Sequence, residues 1–233
     1  AEQLLVKEKV FAAQENPLFT VRHLKKRFQN EEGVNDVSFD ICEGEVFALA
    51  GESGSGKTTL AKILTGLEQP DSGEVFCRGE RVDRKNRKRN KNMHGKVRMI
   101  FQDPYSSLNP CMTINEMLTE TLRAKEKQIK FDQKERKKDR QRQIEQMLTR
   151  VGLSSLDGKR YPRELSGGQR QKAAIARALL LEPELLICDE AVSSLDAATR
   201  TQILDLLLRV VKEKKIACLF ISHDMALIRR ISH

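Results

Sequence analysis

At 233 residues, with 39% apolar and 32% charged side chains, the chain is long enough to bury a full core as one large domain or a domain with a subdomain. No apolar stretch approaches the length needed to cross a bilayer, and residues 1–16 mix polar and charged types, so neither a membrane-spanning helix nor a signal peptide is expected. The net charge of +9 is local: residues 81–98 carry nine basic residues against one acidic and residues 123–150 carry eleven against five, while the rest is net acidic, a pattern unlike a uniformly basic nucleic-acid binder.

In chain order, residues 1–17 read as a linker or tail. Phe19–His23 and Val37–Ile41 alternate and carry β-formers, which predicts a small antiparallel sheet. Val46–Ala50 is a continuous apolar run, as in a buried parallel strand, and it leads into Gly51-Glu52-Ser53-Gly54-Ser55-Gly56-Lys57-Thr58. That octet fits G-x-x-x-x-G-K-[ST]. Gly51, Gly54 and Gly56 let the backbone bend so that N–H groups of the loop, from Glu52, Ser53 and Ser55 among others, converge on an anion at a helix N-terminus. Lys57 is expected to reach the β- and γ-phosphates of a nucleotide, Thr58 to ligate Mg²⁺, and Thr59 to hydrogen-bond the α-phosphate. Leu60, Ile63, Leu64 and Leu67 share the apolar face of the helix that follows.

The basic run 81–98 reads first as a solvated face, with anionic lipid or nucleic acid as the competing functional reading. Val97–Phe101 is a further apolar strand. Residues 102–163 are polar, helical in pattern and strand-free, as an inserted helical subdomain would be; Ile144, Met147, Leu148 and Val151 form one face. Leu185–Cys188 is a buried strand with Asp189 and Glu190 at its end, where Asp189 would hold Mg²⁺ and Glu190 would act as general base. Ile203, Leu206, Leu207, Val210 and Val211 mark another helix, and Ile216–Ile221 another strand, followed by His223. Strands alternating with helices predict an α/β fold with a parallel sheet. The five cysteines (42, 77, 111, 188 and 218) are scattered and odd in number, so free thiols in a reducing compartment are expected.

Leu165-Ser166-Gly167-Gly168-Gln169-Arg170-Gln171, together with the glycine-rich loop and the Asp189-Glu190 pair in this order, resembles the signature of the ATP-binding cassette (ABC) family. The resemblance spans about residues 18–231. It implies a P-loop NTPase with an ABC-type RecA-like core, a small antiparallel β subdomain and an inserted α-helical subdomain. The cassette would be residues 18–233, with 18–101 and 164–233 as core and 102–163 as the helical part. It implies Mg-ATP as the bound nucleotide and a second cassette as partner. Ser166, Gly167, Gly168 and Gln169 would then face the nucleotide held by that partner. By the same resemblance Phe28 stacks on adenine, where a core phenylalanine is the competing reading. Gln102 is the Q-loop glutamine at the metal or the attacking water, Ser194-Leu195-Asp196 is the D-loop, and His223 is the switch histidine reaching the γ-phosphate.

Phe101-Gln102-Asp103-Pro104-Tyr105-Ser106-Ser107-Leu108-Asn109-Pro110 is similar to a segment of the ATPases that energise import of oligopeptides, dipeptides and nickel. This implies ATP hydrolysis coupled to solute transport at the cytoplasmic face of the membrane. The partners would be transmembrane permease subunits with a solute-binding protein, and nucleic acid is not expected. Tyr105, Leu108 and Met112 would contribute to permease docking, with local packing as the plain alternative. A non-transport ABC ATPase acting on ribosomes, nucleic acid or a soluble complex, and a cassette that binds ATP without turnover, are the rival functions. Ala191 departs from the proline usual in the family after the acidic pair. The chain ends ten residues past His223, where importer ATPases continue, so either a piece of a longer protein or a cassette lacking that part of the fold is expected.

Overall fold

A computed structural model describes residues 5–9, 17–28, 31–52, 54–82, 96–126, 133–193 and 195–231. The chain divides into two compact units, the first made of Ala1–Met99, Glu184–Glu190 and Leu207–His233, the second of Ile100–Pro183 and Ala191–Leu206.

Two sheets build the first unit. The larger contains β1 (Leu5–Lys9), β4 (Val46–Ala50), β9 (Ala217–Ser222), β8 (Leu185–Asp189) and β7 (Val97–Ile100), in the order β1-β4-β9-β8-β7. Strands β4, β9 and β8 run parallel, and every residue of the three is buried, which is why the sequence shows continuous apolar runs there rather than alternation. The register pairs Ala50 with Ser222 and Asp189 with Ile221. The three strands therefore end level, and the residues that follow them emerge along one edge of the sheet. Residues 5–9, expected to lie in a tail, instead form β1 antiparallel to β4.

The smaller sheet is antiparallel, with order β3-β2-β5-β6 from β2 (Phe19–Phe28), β3 (Glu31–Ile41), β5 (Ser72–Cys77) and β6 (Glu80–Arg81). It is larger than the alternation at 19–23 and 37–41 indicated, because irregular register in β2 and β3 interrupts the period of two. One apolar cluster joins both sheets to helix α1 (Lys57–Thr65), with Phe39 stacked on Phe47 at 5.0 Å between ring centroids. Leu67 does not share the buried face of α1 as expected. Gly66, at φ 93°, closes the helix with its N–H on the Ile63 carbonyl, and Leu67 beyond it is 66% exposed.

The second unit is helical: α2 (Pro104–Ser107), α3 (Ile114–Glu126), α4 (Gln133–Arg150), α5 (Ser155–Gly158), a 3₁₀ turn at Pro162–Glu164, α6 (Gly167–Leu179) and the first half of α7 (Ala197–Lys214). The last helix of the chain, α8 (Met225–Ile231), belongs to the first unit. Ile114, Leu118, Leu122, Ile144, Leu148 and Ile175 are among the buried side chains of the second unit. The helical segment expected at 102–163 falls within it, and α6 and residues 191–206 join it. Of the two basic runs, 83–95 lies outside the described residues, while Lys137, Lys138 and Arg142 on α4 are exposed, as a solvated face requires. None of the five cysteines is in a disulfide; Cys111 is exposed and the other four are buried.

Candidate nucleotide site

The glycine-rich loop leaves β4 at Gly51 and enters α1 at Lys57. Gly54 and Gly56 take φ of +86° and +90°, the left-handed region that side chains disfavour. At Gly56 an added Cβ would stand 1.5 Å from the Gly33 carbonyl oxygen, so the loop is pressed against β3 where only glycine fits. The Lys57 side chain is buried and curls back over its own loop. Its ammonium donates to the Gly51 carbonyl at 2.6 Å, to the Glu52 carbonyl and to Ser55 Oγ at 3.2 Å. Burial pulls its pKa down, opposed by the nearby charges of Glu190, Asp189 and Glu52. A cation is thus held inside a ring of backbone dipoles. Ser53 lies outside the described residues, and Thr58 and Thr59 occupy the first turn of α1.

Asp189 ends β8 and is buried. Burial raises its pKa and the Thr58 hydroxyl hydrogen bond lowers it, with Glu190 adding to the rise and Lys57 opposing it. Thr58 and Asp189, expected to share a metal, are therefore in direct contact. Glu190 has φ +48°, and its N–H bonds the Ile221 carbonyl at 3.0 Å. This turn aims the Glu190 side chain at His223, one residue past β9: Glu190 Oε1 and His223 Nδ1 are 2.9 Å apart. Gly51, Lys57, Thr58, Asp189, Glu190 and His223 are thus brought together at the ends of three adjacent parallel strands, the position where α/β sheets bind ligands.

Phe28 ends β2 and is 47% exposed, with one edge of its ring beside Gly33 and Lys26 Nζ over the ring at 5.5 Å from its centroid. The competing reading of a core phenylalanine is overturned, since an exposed ring at a strand end is free to stack.

The remaining expected residues lie in the second unit. Gln102 is exposed. Ser166 caps α6: its Oγ accepts from Gln169 N at 3.2 Å, and Gln169 Oε1 accepts from Ser166 N at 2.9 Å. The other end of the Gln169 amide donates to Asp157 Oδ1 at 3.2 Å. Both ends of the Gln169 amide are thus engaged within its own unit, in contacts that shape the turn. Ser166 is exposed, while Gly167 and Gly168 are half-buried, with Thr199 so close to Gly168 that a Cβ would stand 2.5 Å from it. Asp196 caps α7 by accepting from Thr199 N at 3.0 Å; Ser194 lies outside the described residues. Leu108, expected on a docking surface, is buried, whereas Tyr105 is 47% exposed with the Arg170 guanidinium 5.4 Å over its ring. Asp157 was not singled out from the sequence; the Ser154-x-x-Asp157 spacing of a capping box was the available signal.

A strand feeding a glycine loop and helix, in one parallel sheet with a strand that ends in paired carboxylates, defines a P-loop nucleotide-binding protein. The chain belongs to the ABC transporter family, whose profile matches residues 34–193. It is 42% identical over 220 residues to the oligopeptide transport ATP-binding protein OppF of Bacillus subtilis (strain 168), covering 92% of this chain and 70% of that protein. It is 42% identical to the glutathione import ATP-binding protein GsiA of Escherichia coli (strain K12), covering 93% of this chain and 36% of that protein. A putative oligopeptide transport ATP-binding protein of B. subtilis, YkfD, is matched over 65% of its length, so the chain spans between about a third and about two thirds of most of these relatives. Among solved structures, cbiO1 from Clostridium perfringens, part of the cbiONQ ABC transporter complex, aligns with a TM-score of 0.80 at 25% identity, covering 93% of this chain and 82% of that one. The ATP-binding cassette MJ0796, in a dimeric post-hydrolysis state bound to ADP and Pi, aligns at 0.77 and 26% identity, covering 91% and 90%.

Proposed function

We propose that this chain binds Mg-ATP, pairs with a second cassette and hydrolyses the nucleotide to energise import of a peptide or similar small solute. The Glu190–His223 contact of 2.9 Å, set beside Lys57 and Asp189 at level strand ends, carries this reading. The reaction is attack of water on the γ-phosphoryl group, and the work of the protein is positioning and charge stabilisation. Lys57 would turn its ammonium from its own loop carbonyls to the β- and γ-phosphates, exchanging neutral acceptors for charged ones. Glu190 would polarise the attacking water and take up its proton. His223, bonded to Glu190, would fix the direction of that carboxylate and reach the γ-phosphate. Phe28 would stack on the base.

The Thr58 hydroxyl and Asp189 carboxylate form a hard-oxygen pair that suits Mg²⁺, an ion that keeps several waters and shares its remaining positions with phosphates. They would hold it, Asp189 through water, and when bound it neutralises charge on the phosphates. Asp196 and the Ser166–Gly168 turn belong to the part of the cycle that needs a second cassette. The relatives named for oligopeptide and glutathione import support a permease and a solute-binding protein as further partners. They also support attachment to the cytoplasmic face of a membrane; no helix among the described residues is long and apolar enough to cross one.

The test is Glu190→Gln, which keeps the shape and removes the base. Turnover is expected to fall by at least ~10²-fold, while Mg-ATP drives the variant into a stable dimer measurable by light scattering. Retained turnover, or a variant that stays monomeric with Mg-ATP, would overturn the reading.

A further inference from the structure

The turn that begins α6 is held by a side-chain chain that starts outside the signature itself. Asp157 is buried at the first turn of α5. Its Oδ2 accepts from Ser154 N at 2.9 Å and Ser154 Oγ at 2.7 Å. Its Oδ1 accepts from Gln169 Nε2 at 3.2 Å and from the Arg160 guanidinium at 3.3 Å. The Ser154 hydroxyl, with the Ser154 N–H and Arg160, holds its carboxyl below the usual range against the effect of burial. An ionised carboxylate can only accept, and the Ser166 N–H can only donate. Between these two fixed partners the Gln169 amide has one satisfied orientation, NH₂ toward Asp157 and oxygen toward Ser166. Reversing the amide would set donor against donor at one end and acceptor against acceptor at the other. The platform beneath is closely packed: a Cβ on Gly158 would stand 2.5 Å from Asn115 Oδ1.

We propose that Asp157 is a positioning residue for ATP hydrolysis: by fixing the Gln169 amide it holds the Ser166–Gly168 turn in the shape that closes on the nucleotide of a second copy. This rests on the dimeric reading above and adds to it a residue outside every recognised motif. With both ends of the Gln169 amide committed, its side chain orders the turn and leaves the Ser166 hydroxyl and the glycine backbone to meet phosphate.

The donor–acceptor logic supplies a test by reciprocal exchange. Asp157→Asn sets an NH₂ against donors whichever way it turns, the Gln169 NH₂ and the Arg160 guanidinium on one side or the Ser154 N–H on the other. Gln169→Glu places a carboxylate against the Asp157 carboxylate. The double variant Asp157→Asn with Gln169→Glu restores one donor facing one acceptor and keeps an acceptor for the Ser166 N–H. All three are made in the full chain, with and without Glu190→Gln. Three quantities are read: affinity of the monomer for a fluorescent trinitrophenyl-ATP, ATP-driven dimerisation of the Glu190→Gln forms, and steady-state turnover. Each single exchange is expected to leave nucleotide affinity within about twofold and to weaken dimerisation and kcat roughly tenfold, the effect of one mispaired charged hydrogen bond. The double exchange is expected to recover most of that loss. Loss of nucleotide affinity in step with kcat, or a double variant no better than either single, would mean that Asp157 serves only folding and would overturn the inference. So would single variants that dimerise and turn over normally. If the parent Glu190→Gln chain stays monomeric with Mg-ATP, the dimeric reading falls and this inference with it; if only the Asp157 series departs from expectation, the dimeric reading stands.

Discussion

At Gly54 and Gly56 the backbone takes nearly the same left-handed φ, yet the surroundings differ. A Cβ on Gly54 meets nothing within 4 Å, whereas one on Gly56 would overlap the Gly33 carbonyl of β3. Gly54→Ala is expected to cost about 1–2 kcal/mol, the conformational penalty alone. Gly56→Ala is expected to cost clearly more, because the backbone of β3 must also move. Urea unfolding of the two variants measures the difference, and equal costs would show that the loop yields freely against β3. The motif residues Lys57, Asp189, Glu190 and His223 were legible in sequence because each carries its chemistry in its own residue type and sits next to a recognisable strand. Asp157 was not, because its meaning depends on Gln169, twelve positions away on another helix, and Ser-Ser-Leu-Asp looks like any surface turn. Lys57 shows a second limit. Its type indicated a phosphate ligand, but its hold on three acceptors of its own loop is a property of how the loop closes.

Strands and helices differed in how openly the sequence displayed them. Strands β4, β8 and β9 are buried on both faces, so their unbroken apolar runs located them to within a residue. Strands β5 and β6 went unmarked because Ser72–Cys77 and Glu80–Arg81 are short, polar-leaning and half exposed. What fastens the two sheets of the first unit together is equally invisible in sequence. Phe39 on β3 and Phe47 on β4 stack across the shared core, Phe47 being 5% exposed. Phe47→Ala is expected to destabilise the chain by about 3–5 kcal/mol through the lost ring and the cavity left behind. A cost below about 1 kcal/mol in denaturant titration would mean the sheets are held elsewhere. Among the helices, α6 is set by Ser166 and Gln169 as a reciprocal cap, and that local chemistry places the signature turn at a helix N-terminus whatever the rest of the chain does.

For the molecule as a whole, nucleotide binding is expected to appear as stability. A ligand that binds only the folded chain raises its stability by about 2.7 kcal/mol at a hundred times Kd. Mg-ATP at that level should raise the melting temperature measurably. Lys57→Met should abolish the rise, and chelating the metal should reduce it. An unchanged shift in Lys57→Met would place the nucleotide elsewhere. The division into two units follows from topology. The first unit collects three separate stretches of chain because its central strands β4, β9 and β8 are far apart in sequence, and residues 100–183 and 191–206 are what lies between. β1 joins that sheet at the edge of β4, a pairing no pattern in residues 5–9 announced, since strand pairing is satisfied by backbone groups common to all residues.

The order of the motifs, the apolar runs before them and the glycines within them determined the class of protein, because phosphate binding, metal ligation and proton transfer each demand particular residue types at fixed short spacings. The tertiary structure alone decided that Glu190 and His223 meet at 2.9 Å, that Leu108 is covered while Tyr105 is not, and that Gln169 serves Asp157 and Ser166. Those outcomes depend on which backbones end level and which side chains find partners across the fold, and distance along the chain carries no record of either.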